Sequence, residues 1–466
     1  MKVDLINGSP MKKVLSLSTP IVISNLMHVL YNMADTAWLG VLGKEEVAAM
    51  AFVFPVIFLV ISIGVGIGLG GSILVSQYEG AGRPQRVSLA AGQTLVLTLL
   101  LSVLISVSGL FLSRPLVLRL GASPEVAELA VSYLRIIFSG VILIFAFFIF
   151  NAVMRGWGNT RTPMKIMIAS NLLNIMLDPL LIFGFWFLPA MGIKGAAFAT
   201  LISRAAASAA GLFILFKGRN ALRIRLKDLL PDYGMLRKIL SIGSPAVAEH
   251  ALKAAGIMIL TAIVAGFGTV YTAAFSIGMR VFSVVVMPSL AISFGTSAAA
   301  GQNLGAGFPA RARSLARDSS VFVFSSLAVL GGFLLMSRYR VASFFIGAGD
   351  PEVVAASADF LLRLAVMAPF LGTCITLRGA FKGAGKTFHS MLIGMTGLLG
   401  FRVVYAWIAA GIYGSVTGVW DSFVFSGAAE LLICVLYFRG SGWSSPVINA
   451  SARDGDASGF GTDTLT

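Results

Sequence analysis

The chain has 466 residues, 57% of them hydrophobic and 12% charged, with a net charge of +15 and a mean hydropathy of +0.90. Soluble domains carry about 25% charged residues, so this composition excludes an ordinary globular enzyme. The basic balance is not a nucleic-acid footprint, because most of the 35 Lys and Arg fall in the N-terminus, alternate connections and the tail. That distribution follows the positive-inside rule and predicts both termini in the cytoplasm.

Residues 1–12 are polar and read as a cytoplasmic N-terminus, with no cleavable signal peptide expected. Twelve apolar runs follow, each long enough to cross a hydrocarbon core of about 30 Å. In the first half they cover 14–38, 47–77, 88–112, 126–150, 163–187 and 192–216. In the second they cover 237–265, 271–300, 319–337, 353–376, 388–411 and 415–438. The second, seventh and eighth are long enough to require tilt, a break or an extension past the bilayer. The expected division is an N-lobe over 13–217, a basic cytoplasmic linker over 218–236 and a C-lobe over 237–438. The tail, 439–466, is polar and Gly/Ser/Asp-rich and reads as disordered. Cys374 and Cys434 both fall in spans, which suits reduced thiols.

The halves repeat each other about 225 residues apart. Lys13–Pro20 (KVLSLSTP) returns as Lys238–Pro245 (KILSIGSP), Gly80–Pro84 (GAGRP) as Gly305–Pro309 (GAGFP), and Gly121–Val126 (GASPEV) as Gly347–Val353 (GAGDPEV). Arg155–Thr160 (RGWGNT) returns as Lys382–Thr387 (KGAGKT), and Gly192–Gly195 (GIKG) as Gly411–Gly414 (GIYG). Six spans per half means both halves enter the membrane with the same orientation. The fold class expected is therefore an all-α polytopic membrane protein, two six-helix bundles related by a pseudo-twofold axis along the membrane normal. Such transporters bind cargo near mid-membrane and rock to alternate access.

Two carboxylates stand inside the apolar runs, Asp35 on the first span and Asp178 on the fifth. Each costs roughly 2.5–3.5 kcal/mol at the centre of a bilayer even on the lenient insertion scale. On the first span Tyr31, Asn32 and Asp35 are spaced to lean onto one face. On the fifth, Asn171, Asn174 and Asp178 form one stripe, and Pro179 leaves the carbonyl of Ile175 without its helical donor. Carboxylates, carboxamide oxygens and a free carbonyl suit Na⁺ at Asp35, Asp178 and Asn174. The same pocket suits H⁺, and the composition does not choose between them. Pro20 frees the carbonyl of Ser16 in the same way and marks the first span as a bending helix.

Taken together, Ser18–Pro20 (STP), Tyr31–Gly40 (YNMADTAWLG), Gly80–Gly82, Arg155–Thr160, Asn174–Gly184 (NIMLDPLLIFG) and Gly192–Ser203 (GIKGAAFATLIS) resemble the multidrug and toxic compound extrusion family, the MATE transporters. The resemblance runs from Lys12 to about Arg439 and is closest to the prokaryotic branch with its cation site in the N-lobe. It implies a cell-membrane antiporter and no enzyme: efflux of organic, mostly cationic and amphipathic compounds in exchange for H⁺ or Na⁺, with no other cofactor. It also implies a functional monomer whose partners are small organic cations or drugs and the lipid bilayer. Asp35, Asp178, Asn174 and Asn32 would couple the cation. Tyr31, Tyr133, Asn151, Asn171, Thr200 and Arg204 would line the cargo cavity. Phe148 stands where relatives often carry a polar residue, and Arg204 where an apolar one is common. The Arg puts the cationic preference in question.

The second half lacks this chemistry. At the repeat offset Asp35 corresponds to about Leu260, and Asp178 to the neighbourhood of Arg402 and Tyr405. Where some family members place a carboxylate, this chain has Lys253, and Glu249 four residues earlier is expected to pair with it. Arg280 and Arg402 read as packing or gating charges, and His28 and His250 as interior histidines. The glycine run Gly64–Gly71 lies within an apolar span, so it reads as close helix packing and not as a nucleotide loop. The rival readings are a flippase for a lipid-linked precursor, kept open by Arg135, Arg204, Lys253, Arg280, Arg363 and Arg402, then a membrane-embedded enzyme, then a channel.

Overall fold

The computed structural model describes residues 2–186, 189–218, 222–346 and 350–448. No β-strand occurs among them. The first half comprises α1 (Pro10–Leu42), α2 (Lys44–Gly80), α3 (Pro84–Arg119), α4 (Pro124–Ser139), α5 (Val141–Gly156), α6 (Arg161–Ile182) and α7 (Ile193–Lys217). The second comprises α8 (Tyr233–Ala265), α9 (Thr269–Gly305), α10 (Pro309–Ile346), α11 (Pro351–Gly383), α12 (Thr387–Met395), a π-helical segment (Thr396–Val403), α13 (Val404–Tyr413) and α14 (Val416–Arg439). Pro opens α1, α3, α4 and α11, where its missing N–H has no helical partner to lose.

Eleven spans are continuous membrane-length helices, and the twelfth is the pair α4–α5, bent by 56°. Gly140 forms the corner, and a Cβ there would sit 2.5 Å from Leu201 of α7. Each expected span corresponds to one of these twelve, most of which run past their apolar stretch; the fifth and ninth depart for identifiable reasons. The fifth ends at Ile182, where Met191 and Gly192 fold back to donate to the carbonyls of Leu181 and Ile182 at 3.0 Å each. The ninth, expected over 319–337, runs for 38 residues from Pro309. Its basic first turns are good helix formers and continue past the apolar stretch.

The described contacts between the halves lie toward the end where residues 2–9 and 441–448 lie, through the first two helices of each half, α1 and α2 against α8 and α9. Val14 and Leu17 of α1 join the C-lobe core, while Met235, Ile239 and Ile242 of α8 join the N-lobe core. Glycines permit both approaches. A Cβ at Gly70 of α2 would fall 2.5 Å from the carbonyl of Ile239, and one at Gly295 of α9 would fall 2.4 Å from Ser18 Oγ. Gly70 and Gly295 are repeat counterparts, so the crossing is made twice with one design, and the Gly64–Gly71 run is a packing surface as expected.

The closed end is finished by a reciprocal pair of glutamines. Gln77 Nε2 donates to the carbonyl of Gly383 at 2.9 Å, and Gln302 Nε2 donates to that of Gly156 at 3.0 Å. A Cβ at Gly80 would meet the carbonyl of Gln302 at 1.9 Å, and one at Gly305 that of Gln77 at 2.0 Å.

Both ends of the chain are tied across this floor. Val3 N donates to Gly158 O at 2.9 Å, Asn303 Nδ2 to Leu5 O at 3.1 Å and Arg311 to Gly8 O at 2.6 Å. Beyond α14 the chain is not disordered from Ser441, as its composition suggests. Trp443 is fully buried, and the amides of Val447 and Ile448 donate to Gln77 Oε1 at 2.9 and 3.3 Å. The aromatic ring and the buried amide acceptor outweigh the polar composition. The remainder of the expected disordered tail, 449–466, lies outside the described residues, as do 347–349 of the repeated GAGDPEV motif and 219–221 of the linker. The rest of the linker is docked. Asp228 accepts from Arg225 N at 2.9 Å and Ser88 Oγ at 2.6 Å, and Gln93 Nε2 donates to the carbonyls of Asp228 and Leu230. Cys374 and Cys434, expected as reduced thiols, are instead paired as a disulfide between α11 and α14, with Cα atoms 6.0 Å apart. The two helices pack side by side, which spacing in sequence cannot reveal.

Candidate functional site

Away from the closed end the N-lobe gathers its polar side chains where α1, α4, α6 and α7 converge. α1 and α6 are neighbours in the bundle and run in the same direction. Asp35 stands seven residues before the end of α1 and Asp178 four before the end of α6, about 10 Å and 6 Å along each axis. Both carboxylates therefore sit in the half where the lobes are apart. Asp35 is 4% exposed and Asp178 is fully buried.

Among the described residues no cation pairs with either carboxylate. Asp35 Oδ1 is enclosed without a hydrogen-bond partner, and so are both polar atoms of Asn171. Asn174 Nδ2 lies 3.4 Å from Asp178 Oδ1. With its amide turned, its nitrogen meets Asp178 Oδ2 at 3.1 Å and its oxygen the Thr200 amide at 3.2 Å. Buried polar atoms without partners cost about 1–3 kcal/mol each, and a cation held between the carboxylates would offset part of that cost for the oxygens. The donors are carboxylate, carboxamide and the carbonyl that Pro179 leaves free, a hard-oxygen set that fits Na⁺ or a proton. No group of three or more His, Cys, Asp and Glu that could hold a metal occurs among the described residues.

The aromatic rim closes over the carboxylates. Tyr31 Oη lies 3.4 Å from Thr200 Oγ1, and Tyr133 faces the same hydroxyl within electrostatic reach of Asp35 and Asp178. Arg204 stacks its guanidinium over the rings of Tyr31 and Phe147, 5.5 and 5.9 Å from their centroids. It neutralises neither aspartate. Tyr31, Tyr133, Asn171, Asn174, Thr200, Asp35 and Asp178 thus form one cluster, with Arg204 at its edge.

Two expected members stand apart. Asn32 is exposed, and only its backbone carbonyl is engaged, by Thr36 Oγ1 at 2.8 Å. It lies one position off the stripe that carries Tyr31 and Asp35 at i and i+4. Asn151 spends its amide on the carbonyl of Phe147, one turn back at 2.8 Å. Pro20 is buried within α1, which continues through it as one helix.

In the C-lobe, Glu249 does not pair with Lys253, the partner its spacing suggests. It pairs with Arg378 and with Lys382, whose Nζ is 3.0 Å from Oε2. Arg378 and Lys382 are i and i+4 on α11 and converge on one carboxylate across the bundle, which an exposed lysine on the same helix cannot match. Gln77, Gln302, Arg378, Lys382 and Glu430 carry no expectation from sequence alone. A signal existed for the glutamines, since Gln77–Gly82 (QYEGAG) and Gln302–Gly307 (QNLGAG) repeat the same Gln-x-x-Gly-Ala-Gly spacing.

The MatE family pattern matches residues 20–180 and 245–408, one segment in each half. The "Probable multidrug resistance protein YoeA" of Bacillus subtilis is 28% identical over 433 residues, covering 90% of this chain and 91% of that protein. A protein of Shewanella oneidensis named "FAD transporter" is 29% identical over 394 residues, covering 84% of this chain and 86% of its own. Among solved structures, the outward-facing conformation of a multidrug resistance MATE family transporter of the MOP superfamily superposes with a TM-score of 0.88. It is 26% identical, covering 94% of this chain and 97% of that one.

Proposed function

Because this chain belongs to the MatE family of membrane transporters, we propose that it exports organic compounds in exchange for H⁺ or Na⁺ taken up at Asp35 and Asp178. Members of this family are transporters and not enzymes, and this one is a multi-pass protein of the cell membrane. The observation that carries the coupling role is the pair of buried, cation-free carboxylates with Asn171 and Asn174 beside them. A charge so placed is costly unless it is discharged by an ion in part of the cycle.

With both termini in the cytoplasm, the closed end faces inward and the open half outward. Cargo and ion then meet the cluster from outside in this state. Loading a cation onto Asp35 or Asp178 removes the repulsion between them and lets α1 change its packing at Pro20. Residues of the aromatic rim would be displaced and cargo expelled. The two carboxylates favour cationic amphipathic cargo. Arg204 and the "FAD transporter" relative point to a wider class. The acidic cluster speaks against the flippase reading, whose cavity would need to be cationic throughout.

The test is uptake of a fluorescent cationic dye in proteoliposomes under an imposed ΔpH or ΔNa⁺. Transport that follows one gradient and stops when it is collapsed is the expected result. Equal movement with and without either gradient would contradict antiport.

A further inference from the structure

The C-lobe holds a second set of charges at membrane depth that the coupling cluster does not use. Arg378 bridges its two carboxylates, with Nη1 3.2 Å from Glu430 Oε1 and Nη2 on Glu249 Oε1, while Nε donates to Ser390 Oγ at 3.3 Å. Lys382 takes the other oxygen of Glu249 at 3.0 Å. Both acids are thereby consumed, and two cations remain without one. Arg402, on the π-helical segment, donates Nε to Ser426 Oγ at 2.9 Å and lies 4.6 Å from the ring centroid of Phe423. Lys253 makes no hydrogen bond or ion pair with any described residue. Both stand within electrostatic reach of Glu430. Four cations against two carboxylates leave a positive excess where water is scarce.

The position of Lys253 decides what that excess is for. At about 100° per residue, Lys253 falls between the Gly243 face of α8, turned toward α2, and the Glu249 face, turned toward α11. Ala246, Gly256 and Leu260 share that side and are buried, Gly256 against Leu398. The opposite side, with Leu252, Met258 and Ile259, is the exposed apolar one. Lys253 is nevertheless itself exposed, and its place on the side of Ala246, Gly256 and Leu260 turns it away from the apolar outer side of α8. It stands six residues, about 9 Å, past Val247, whose side chain lies against Gly66 of α2. That places it just above the closed floor, in the half where the lobes part.

We propose that Lys253, backed by Arg402, is a subsite for an anionic group, a carboxylate or a phosphate, on the transported compound. It faces the cleft from the lobe opposite Asp35 and Asp178. A compound carrying such a group replaces the missing counter-charge and makes charge-assisted hydrogen bonds to a lysine that has no other partner. The inference rests on the transport reading for the identity of the ligand as cargo, but its test requires no transport.

The probes are riboflavin 5′-phosphate and riboflavin, which share one ring system and differ by the phosphate. Binding is read by flavin fluorescence on the purified full-length protein in detergent without any gradient. The phosphate is expected to bind at least tenfold more tightly than riboflavin. Lys253→Gln should bring the two to equal affinity, and Lys253→Arg should restore most of the difference. Lys227→Gln, which removes one positive charge from the exposed linker, should leave it intact, which separates a local contact from a general loss of charge. In the wild type, inorganic phosphate should compete for the phosphate probe and not for riboflavin, a result that needs no variant to fold. Stronger competition by dioctanoyl phosphatidic acid than by glycerol phosphate would assign the same site to a lipid headgroup instead of soluble cargo and overturn the cargo assignment. Equal or absent binding of the two flavins in the wild type, or a preference that survives Lys253→Gln, would overturn the subsite.

Discussion

Gln77 and Gln302 stand one repeat length apart and make the same bond in opposite directions, each donating to the carbonyl at the end of the other lobe's helix, at Gly383 and Gly156. Gln77 also receives the amides of Val447 and Ile448, so it carries three bonds where Gln302 carries one to the opposite lobe. A neutral hydrogen bond contributes about 1 kcal/mol net, close to fivefold in a two-state equilibrium. Gln77→Ala should therefore shift the closed-end equilibrium toward opening by more than Gln302→Ala does. Spin labels at Gln85 and Ala310, repeat counterparts on the exposed edge of that end, report the populations as a distance distribution.

The glycines beneath those glutamines should be less forgiving. A Cβ at Gly80 or Gly305 would lie 1.9 or 2.0 Å from a backbone carbonyl, and backbone cannot rotate aside. Gly80→Ala and Gly305→Ala should each broaden the same distance distribution toward longer separations, beyond the effect of either Gln→Ala change. A distribution that matches the wild type would show that the lobes do not close as tightly as described.

Arg378 holds two carboxylates at once, so its loss should be among the most destabilising single changes in the C-lobe. Removing one partner of a buried ion pair costs about 3–5 kcal/mol, because the remaining charge is stranded. Arg378→Met should lower the thermal unfolding temperature in detergent strongly. Arg378→Met combined with Glu430→Gln should lower it by less than the two single effects summed. Strict additivity would mean the two side chains do not interact.

Asn174 and Asn32 were equally attractive as ligands in sequence, and the structure separates them. Asn174 touches Asp178, whereas Asn32 is exposed with its side chain unengaged. Asn174→Ala should weaken the ion dependence of dye binding by at least tenfold, and Asn32→Ala by less than twofold. Equal effects would place the ion elsewhere on α1.

The parts legible in sequence are those set by local pattern. Apolar length gave the twelve spans, and i, i+3, i+4 and i+7 spacing put Tyr31 with Asp35 and Asn171 with Asn174 and Asp178. The parts that were not legible depend on which helices become neighbours. Glu249 reaches across to α11, Cys374 to Cys434 on α14, and Gln77 to the chain's last described residues, none of which a local window contains. The 441–448 segment is ordered against its polar composition because one buried Trp443 and the acceptor on Gln77 outweigh it. Asn32, three residues before Asp35, has a spacing that permits a shared face, but it lies on the exposed side of Asp35 and Tyr31 on the buried side, a difference set by which helices pack against α1.

The measurement that bears most directly on coupling compares wild type, Asp35→Asn and Asp178→Asn in proteoliposomes, with uphill dye transport under ΔpH or ΔNa⁺ and dye binding at equilibrium both recorded. Each substitution should cut gradient-driven transport by at least tenfold while equilibrium binding of the dye changes by less than that. Uphill transport at the wild-type rate in both variants would contradict the assignment of these two carboxylates as the coupling groups.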